Sequence, residues 1–181
     1  WGQDSTVVDT VPFPPQILRR GVWVKGVEEA IRKIELGKFP RKRILIVCTG
    51  NTCRSPMAEG WLRTELDRKG LGEQIEVSSC GICARDGGDA AIESILTLKN
   101  DEIALDDFRT RLCRREDVLS ADLILVMSEE HQKFIADLCS PVKDRIVVLN
   151  VADPIGMSMD FYERSYRAIK EKMSSLWPEI V

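Results

Sequence analysis

The run Ile44-Leu45-Ile46-Val47, followed by Cys48-Thr49-Gly50-Asn51-Thr52-Cys53-Arg54-Ser55-Pro56, constrains this chain more than any other stretch. Four apolar, mostly β-branched residues predict a buried strand, Gly and Asn predict a tight loop, and Ser-Pro predicts the opening of a helix. Ser55 suits the helix N-cap and Pro56 the first helical position, where its missing N–H costs nothing. Ala58, Trp61, Leu62 and Leu66 then recur at helical spacing and place one face on a core. The loop is thereby pinned at both ends.

A short loop that ends at a helix N-terminus aims several backbone N–H groups at one point, and the helix dipole adds positive potential there. An anion fits such a place. Cys48 begins the loop and Arg54 ends it, so a thiol and a guanidinium share it. The amide nest and Arg54 are expected to favour thiolate over thiol, lowering the Cys48 pKa and making the sulfur nucleophilic. Arg54 offers paired donors matched to phosphate oxygens. The bare spacing, a Cys and an Arg after an apolar strand, also fits a plain buried cysteine.

The longer string is more specific. Cys48-Thr-Gly-Asn-Thr-Cys-Arg-Ser-Pro-Met-Ala-Glu59 closely resembles the active-site loop of the low-molecular-weight protein tyrosine phosphatase family, and the resemblance extends from about Arg43 to the C-terminus. It implies phosphate binding by Thr49, Gly50, Asn51, Thr52, Cys53, Arg54 and Ser55. It also implies that the Ser55 hydroxyl bonds the thiolate and that Asn51 and Ser79 hold the loop in shape. Asp153-Pro154, on its own an ordinary turn dipeptide, opens a stretch through Tyr162 that resembles the family's general-acid loop. Asp153 is therefore the expected acid, and Cys48, Arg54 and Asp153 the expected catalytic set. Cys48 would attack phosphorus while Asp153 protonates the leaving atom, and water activated by Asp153 would then hydrolyse the cysteinyl phosphate. No metal or cofactor is required by this scheme.

Further along the chain, apolar strands at 74–79, 121–127 and 145–149 alternate with helical patterns at 89–98, 129–138 and 161–176. Alternation of this kind predicts an α/β fold with a parallel sheet covered on both faces and a ligand site at the carboxyl ends of the strands. The family's doubly wound four-stranded parallel sheet, with the phosphate-binding loop after its first strand, agrees. Residues 1–40 lie outside that pattern: 5–9 and 16–21 predict two short strands around a Pro-rich loop, and Val27, Ala30, Ile31 and Ile34 share a face of a short helix that Gly37 closes. Ser5-Thr-Val-Val-Asp9 with Ile17-Leu-Arg-Arg-Gly21 resembles the C-terminal end of a threonylcarbamoyl-adenylate synthase domain, which implies a fused or neighbouring domain of that kind. An unrelated hairpin and helix fits equally. The expected division is an appendage over 1–40 and a phosphatase domain over 41–181.

The 181 residues, 44% hydrophobic and 30% charged, suit one such domain and an appendage. No apolar run reaches the length of a membrane span. A net charge of −3 gives no reason for nucleic-acid binding, and the Pro40-Arg41-Lys42-Arg43 cluster is expected as a solvated lead-in to the strand. Six cysteines without a signal peptide predict reduced thiols and a cytoplasmic location. Trp1 at the start suggests a fragment or a missing first residue.

Cys53 is close enough to Cys48 for a protective disulfide of the sort the family uses, and equally fits a small buried side chain. Cys80 and Cys83 have redox or half-zinc spacing, but without a second pair packing is the expected role; Cys113 and Cys139 stand alone. The lone His131 falls in a helical pattern and is expected at the surface.

Relatives of the same fold that reduce arsenate relay oxidation through two further cysteines near the end of the third strand, where this chain has Val126-Met127-Ser128 and so lacks the first of them. That activity is not expected. Specificity should lie at Thr52, Cys83 and Ile155. Tyrosine-directed relatives have Ile at the Thr52 position and Tyr at the Ile155 position, while bacterial protein-arginine phosphatases have Thr at the first and tend to have Phe at the second. The resemblance thus implies a phosphorylated protein as partner, with phosphoarginine first and phosphotyrosine as the alternative. A non-catalytic phosphate-binding module is the remaining alternative.

Overall fold

The computed structural model of the chain describes residues 4–36 and 41–181. It comprises two compact units, Trp1–Arg41 and Lys42–Val181. In the first, strands β1 (Val7–Asp9) and β2 (Gln16–Arg19) pair antiparallel, and helix α1 (Val24–Glu35) follows. Val27, Ile31 and Ile34 are half-buried on α1, whereas Ala30 is exposed. The expected closing residue Gly37, like Pro40, lies outside the described residues.

The second unit is built on β3 (Lys42–Cys48). It pairs in parallel with β4 (Ile75–Gly81) on one side and β5 (Leu123–Val126) on the other, and β6 (Ile146–Val148) pairs in parallel with β5. The order β4-β3-β5-β6 is the expected four-stranded parallel sheet. Central position explains the unbroken apolar run in β3, because both of its faces are covered. Ile44, Ile46 and Cys48 face one layer and Leu45 and Val47 the other, and all five are at most 2% exposed.

On the Ile44 side lie helices α2 (Arg54–Arg68) and α3 (Ile92–Lys99), and on the other side α4 (Arg115–Ser120) and α5 (Glu129–Leu138). The long helix α6 (Met159–Ser175) and the short α7 (Trp177–Ile180) complete the first layer. Ala58, Trp61, Leu62 and Leu66 of α2 are buried, as their spacing predicted, and Met57 is buried with them. Each such large side chain contributes about 1.5–3 kcal/mol by leaving water. The helix that carries the end of the loop is thus fixed on the core.

Several boundaries differ from the predicted ones, and three of them for a visible local reason. Strand β4 runs on through Cys80 and Gly81, which pair with Val47 and Cys48. Helix α3 begins at Ile92 rather than Asp89, because the Ala91 N–H bonds the Thr52 carbonyl at 2.9 Å instead of continuing a helix; Ser94 and Thr97 are buried on it. Lys42 and Arg43 are the first residues of β3 and not a lead-in, with the Lys42 N–H donating to the Gln74 carbonyl at 2.9 Å. Helix α4 and a 3-10 turn over Ser140–Arg145 are too short to give a periodicity signal.

β3 delivers Cys48 to the carboxyl edge of the sheet opposite Gly81. A Cβ on Gly81 would lie 2.6 Å from the Thr49 carbonyl oxygen and 2.7 Å from the Asn51 nitrogen. Both are backbone atoms and cannot swing away. Gly81→Ala is therefore expected to destabilise this unit by about 1–3 kcal/mol, as overpacking against fixed atoms does. Urea denaturation of the variant checks this, and an unchanged midpoint would mean that the loop yields freely.

Candidate active site

The loop between β3 and α2 closes on the Cys48 sulfur. Asn51 adopts φ 55°, the left-handed region that Asn tolerates better than most residues. This bend turns the Asn51 N–H onto the sulfur at 3.2 Å, while the Ser55 N–H at the start of α2 also donates to it. Helix α2 begins one residue before Ser55, so Ser55 is not the N-cap that its sequence context suggests; that position falls to Cys53, whose side chain makes no cap bond. The reason is that the Ser55 hydroxyl is engaged elsewhere, 2.9 Å from the Cys48 sulfur. Pro56 still lies in the first turn, where it forfeits no bond.

The direction of each hydrogen bond around Asn51 follows from groups with one option. The Arg111 N–H can only donate, so the Asn51 oxygen that meets it at 2.9 Å is fixed as the carbonyl oxygen. The Nδ2 group then donates both its protons, to Ser55 Oγ at 2.9 Å and Ser79 Oγ at 2.8 Å. Ser79 passes its own proton to the Glu59 carboxylate at 2.6 Å. With Asn51 donating to the Ser55 oxygen, the Ser55 proton is free to point at sulfur. Asn51, Ser55, Ser79 and Glu59 are all buried. Ser79 was expected here; Glu59 was not singled out, although it ends the string that identified the loop.

Arg54 is 5% exposed. Its Nη1 donates to the Val151 carbonyl at 3.1 Å, and its Nη2 reaches Thr49 Oγ1 at 3.4 Å and pairs with Asp153. Its Nε is buried with no hydrogen-bond partner among the described residues. An unsatisfied buried donor on a cation is costly, and an oxyanion held in the loop would satisfy it. The Asp153 side chain is 37% exposed and pairs with Arg54 of the loop, where the sequence reading put it. The structure thus brings Cys48, Arg54 and Asp153 to one place.

His131 overturns the expectation of a surface residue. It is 2% exposed, with Nδ1 2.8 Å from Ser128 Oγ and Nε2 3.0 Å from Thr49 Oγ1. It stands in the first turn of α5, at the carboxyl edge of the sheet, where a helix N-terminus meets the loop. A helical pattern alone does not tell that edge from open surface; the position of His131 just after the β5 run was the available signal.

The expected lowering of the Cys48 pKa is also overturned. Burial pushes the thiol up, and this outweighs the Ser55 hydroxyl, the Ser55 and Asn51 N–H groups and the Arg54 charge, which all pull it down. Burial is the largest of these causes; Arg54, which opposes it, is also paired with Asp153.

The remaining residues separate by role. Thr52 is half-buried, its carbonyl held by the Ala91 N–H at 2.9 Å and by Ser94 Oγ at 3.2 Å, so α3 braces the loop from below. Ser94 was missed, because a buried Ser in a helix looks like any other. Cys53 is buried with its sulfur 3.4 Å from the Tyr162 hydroxyl. Cys83 is exposed, and its N–H donates to the Thr49 carbonyl at 2.9 Å, which puts it on the rim. Ile155 is 65% exposed, two residues from Asp153. Cys113 does not stand alone: Cys80 and Cys113 are buried together and hydrogen-bonded, which raises Cys80 and lowers Cys113. Among the described residues no three His, Cys, Asp or Glu side chains gather as a metal site, and no helix is long and apolar enough to cross a membrane.

Residues 43–181 match the low molecular weight phosphotyrosine protein phosphatase family. The chain belongs to that family. A protein-arginine-phosphatase of Bacillus subtilis is 34% identical over 142 residues, covering 74% of this chain and 93% of that protein. A low molecular weight protein tyrosine phosphatase from T. tengcongensis has 33% identity and a TM-score of 0.70, covering 76% of this chain and 99% of its own. An arginine phosphatase variant with a phosphorylated active-site serine has 32% identity and a TM-score of 0.70, covering 76% and 94% of the two chains.

In this phosphatase the Asp153 carboxylate competes with the Cys48 sulfur for the Arg54 charge. Asp153→Asn removes the competitor, so the Cys48 pKa is expected to fall relative to the wild type. The pH dependence of Cys48 alkylation by iodoacetamide, followed by peptide mass spectrometry, measures this. A midpoint that stays put or rises in the variant would rule the competition out.

Proposed function

We propose that this chain dephosphorylates phosphoarginine in proteins, with Cys48 as nucleophile, Arg54 as oxyanion clamp and Asp153 as general acid and base. The carrying observation is that the sulfur, the orphaned Arg54 Nε and the Asp153 carboxylate converge on one loop of inward-facing amides. The family name supports phosphate-ester chemistry, and the relative with a phosphorylated active-site serine supports transfer of the phosphoryl group to the loop's nucleophile.

Arg54 pairs with Asp153. A phosphoryl dianion entering the loop brings more charge than the carboxylate and more amide donors, so Arg54 turns to it and Asp153 is released. The Cys48 proton, retained by burial, passes to a phosphoryl oxygen as the thiolate forms. Asp153, once released from Arg54, takes up a proton from solvent; sulfur then attacks phosphorus in line, the P–N bond of phosphoarginine breaks, and Asp153 delivers that proton to the departing guanidine nitrogen. In the second step Asp153 takes a proton from water, the water oxygen bonds to phosphorus, and the S–P bond breaks to free phosphate and Cys48. The transition states are loose and carry their charge on three equatorial oxygens, which the loop amides and Arg54 hold.

The choice of phosphoarginine rests on the rim. Cys83 and Ile155 offer no aromatic face on which a tyrosine ring would stack, and the Thr52 hydroxyl can accept from a guanidinium N–H where a hydrocarbon cannot. The Bacillus subtilis relative, a protein-arginine-phosphatase, agrees.

Turnover of a phosphoarginine-bearing protein and of an aryl phosphate, wild type beside Cys48→Ser, tests the proposal. The wild type is expected to prefer phosphoarginine, and the Ser variant to lose more than about 1000-fold on both. Thr52→Ile should shift the preference toward the aryl phosphate by about tenfold, the discrimination that one such side chain supplies. Wild-type preference for the aryl phosphate would make the enzyme a tyrosine phosphatase instead. Bound phosphate with no turnover of either would make it a binding module.

The acid role has its own measurement. Asp153→Ala should lose roughly 100-fold on phenyl phosphate, whose leaving group needs a proton, and far less on a dinitrophenyl phosphate, whose leaving group does not. Equal losses on both would assign Asp153 to binding rather than proton transfer.

A further inference from the structure

Ser128 occupies the N-cap of α5 and has the preferred residue type, yet it makes no side-chain cap bond. Its hydroxyl is instead turned to His131 Nδ1. A forgone cap is a local conflict that a neighbouring demand must explain, and the demand lies at the other end of the ring. His131 Nε2 meets Thr49 Oγ1, and Thr49 Oγ1 meets Arg54 Nη2. Ser128, His131, Thr49 and Arg54 form one chain from the helix to the guanidinium.

The charge state of the ring follows from its surroundings. Burial lowers the His131 pKa first, the Arg54 charge lowers it further, and Asp153 and Glu130 oppose them without prevailing. The ring is neutral around pH 7, so one nitrogen donates and the other accepts. With the proton on Nδ1, directed at Ser128, Nε2 accepts the Thr49 hydroxyl proton. The Thr49 lone pairs then face Arg54.

We propose that His131 is a positioning residue for Arg54, acting through Thr49: the neutral ring fixes the Thr49 hydroxyl so that its oxygen, with the Val151 carbonyl, holds the guanidinium when Asp153 lets go. This rests on the phosphatase reading of the loop. Two of the three contacts on the Arg54 Nη groups, Val151 O and Thr49 Oγ1, do not involve Asp153. They keep Nε and the remaining Nη2 proton aimed at the phosphoryl oxygens through both chemical steps. A misplaced clamp weakens the transition state, where the oxygens carry most charge, more than the bound substrate. Protonation makes Nε2 a donor. Thr49 then turns its oxygen to the ring, and a second cation stands beside Arg54.

The test uses the full chain with a phosphoarginine-bearing protein and an aryl phosphate, following whichever the wild type turns over; turnover of neither would strike the phosphatase reading and not this one. His131→Phe keeps the ring volume without polarity, and Thr49→Val keeps the Thr shape at an exposed site where folding is not at stake. Each is expected to lower kcat about tenfold, with KM changed less than about twofold and the melting temperature of Thr49→Val unaltered. The double variant should be no worse than about tenfold, because both break one chain. His131→Gln, whose side chain can accept the Thr49 proton but does not titrate, should recover most of the rate. Its kcat/KM relative to wild type should rise as pH falls below the ordinary histidine range. Losses that multiply in the double variant, a fully active Thr49→Val, or a Gln variant with the pH profile of the wild type would each overturn the proposal.

Discussion

Everything in the site depends on how Asn51 is held. A non-glycine residue in the left-handed region gives up conformational energy of roughly 1 kcal/mol, and that strain persists only if neighbours over-determine it. Here they do: the Arg111 N–H fixes the Asn51 carbonyl oxygen, and Ser55 and Ser79 take both amide protons. Glu59 anchors the far end by accepting from Ser79. Because a carboxylate only accepts and an N–H only donates, the whole chain has one polarity, and it ends in a hydroxyl proton available to Cys48. Three secondary elements supply the pieces, α2 with Ser55 and Glu59, β4 with Ser79, and the segment before α4 with Arg111.

That dependence explains which parts of the fold were legible in the sequence. Strand β3 announces itself because a central parallel strand must be apolar on both faces, and α2 because one face of it is covered by the core. Helix α5 was placed at its observed bounds for the same reason. Elements that serve the loop rather than the core were misplaced. Helix α3 starts late because Ala91 spends its N–H on Thr52, and β4 runs long because Gly81 must lie against Thr49 and Asn51. Hydrophobic periodicity records burial, and neither of these contacts is apolar.

The site divides along the same line. Cys48 and Arg54 were readable because their order in a strand, loop and helix dictates where they meet, whereas Asn51 and Ser79 came from the resemblance to the family's motif. His131, Ser94 and Tyr162 were not, since each reaches the loop from a different helix and only the folded chain shows the approach. The charge state of Cys48 was missed for a further reason. Counting donors around a sulfur predicts a thiolate, but the count leaves out what burial takes away and what Asp153 removes from Arg54.

Those two omissions belong together. With the sulfur buried and Arg54 paired to Asp153, the proposed nucleophile holds its proton and the proposed acid is tied to the proposed clamp. Each of the three is released by the same event, the arrival of a dianion in the nest, since it draws Arg54, frees Asp153 and offers an oxygen for the Cys48 proton. Monoanionic ligands do this less well, because a single charge gains little over the Asp153 carboxylate that it must replace. The site thereby favours phosphate monoesters and phosphoramidates over diesters and carboxylates through charge alone, before any contact with the rest of the substrate. On the proposed function, Thr52, Cys83 and Ile155 at the rim are left to choose among leaving groups.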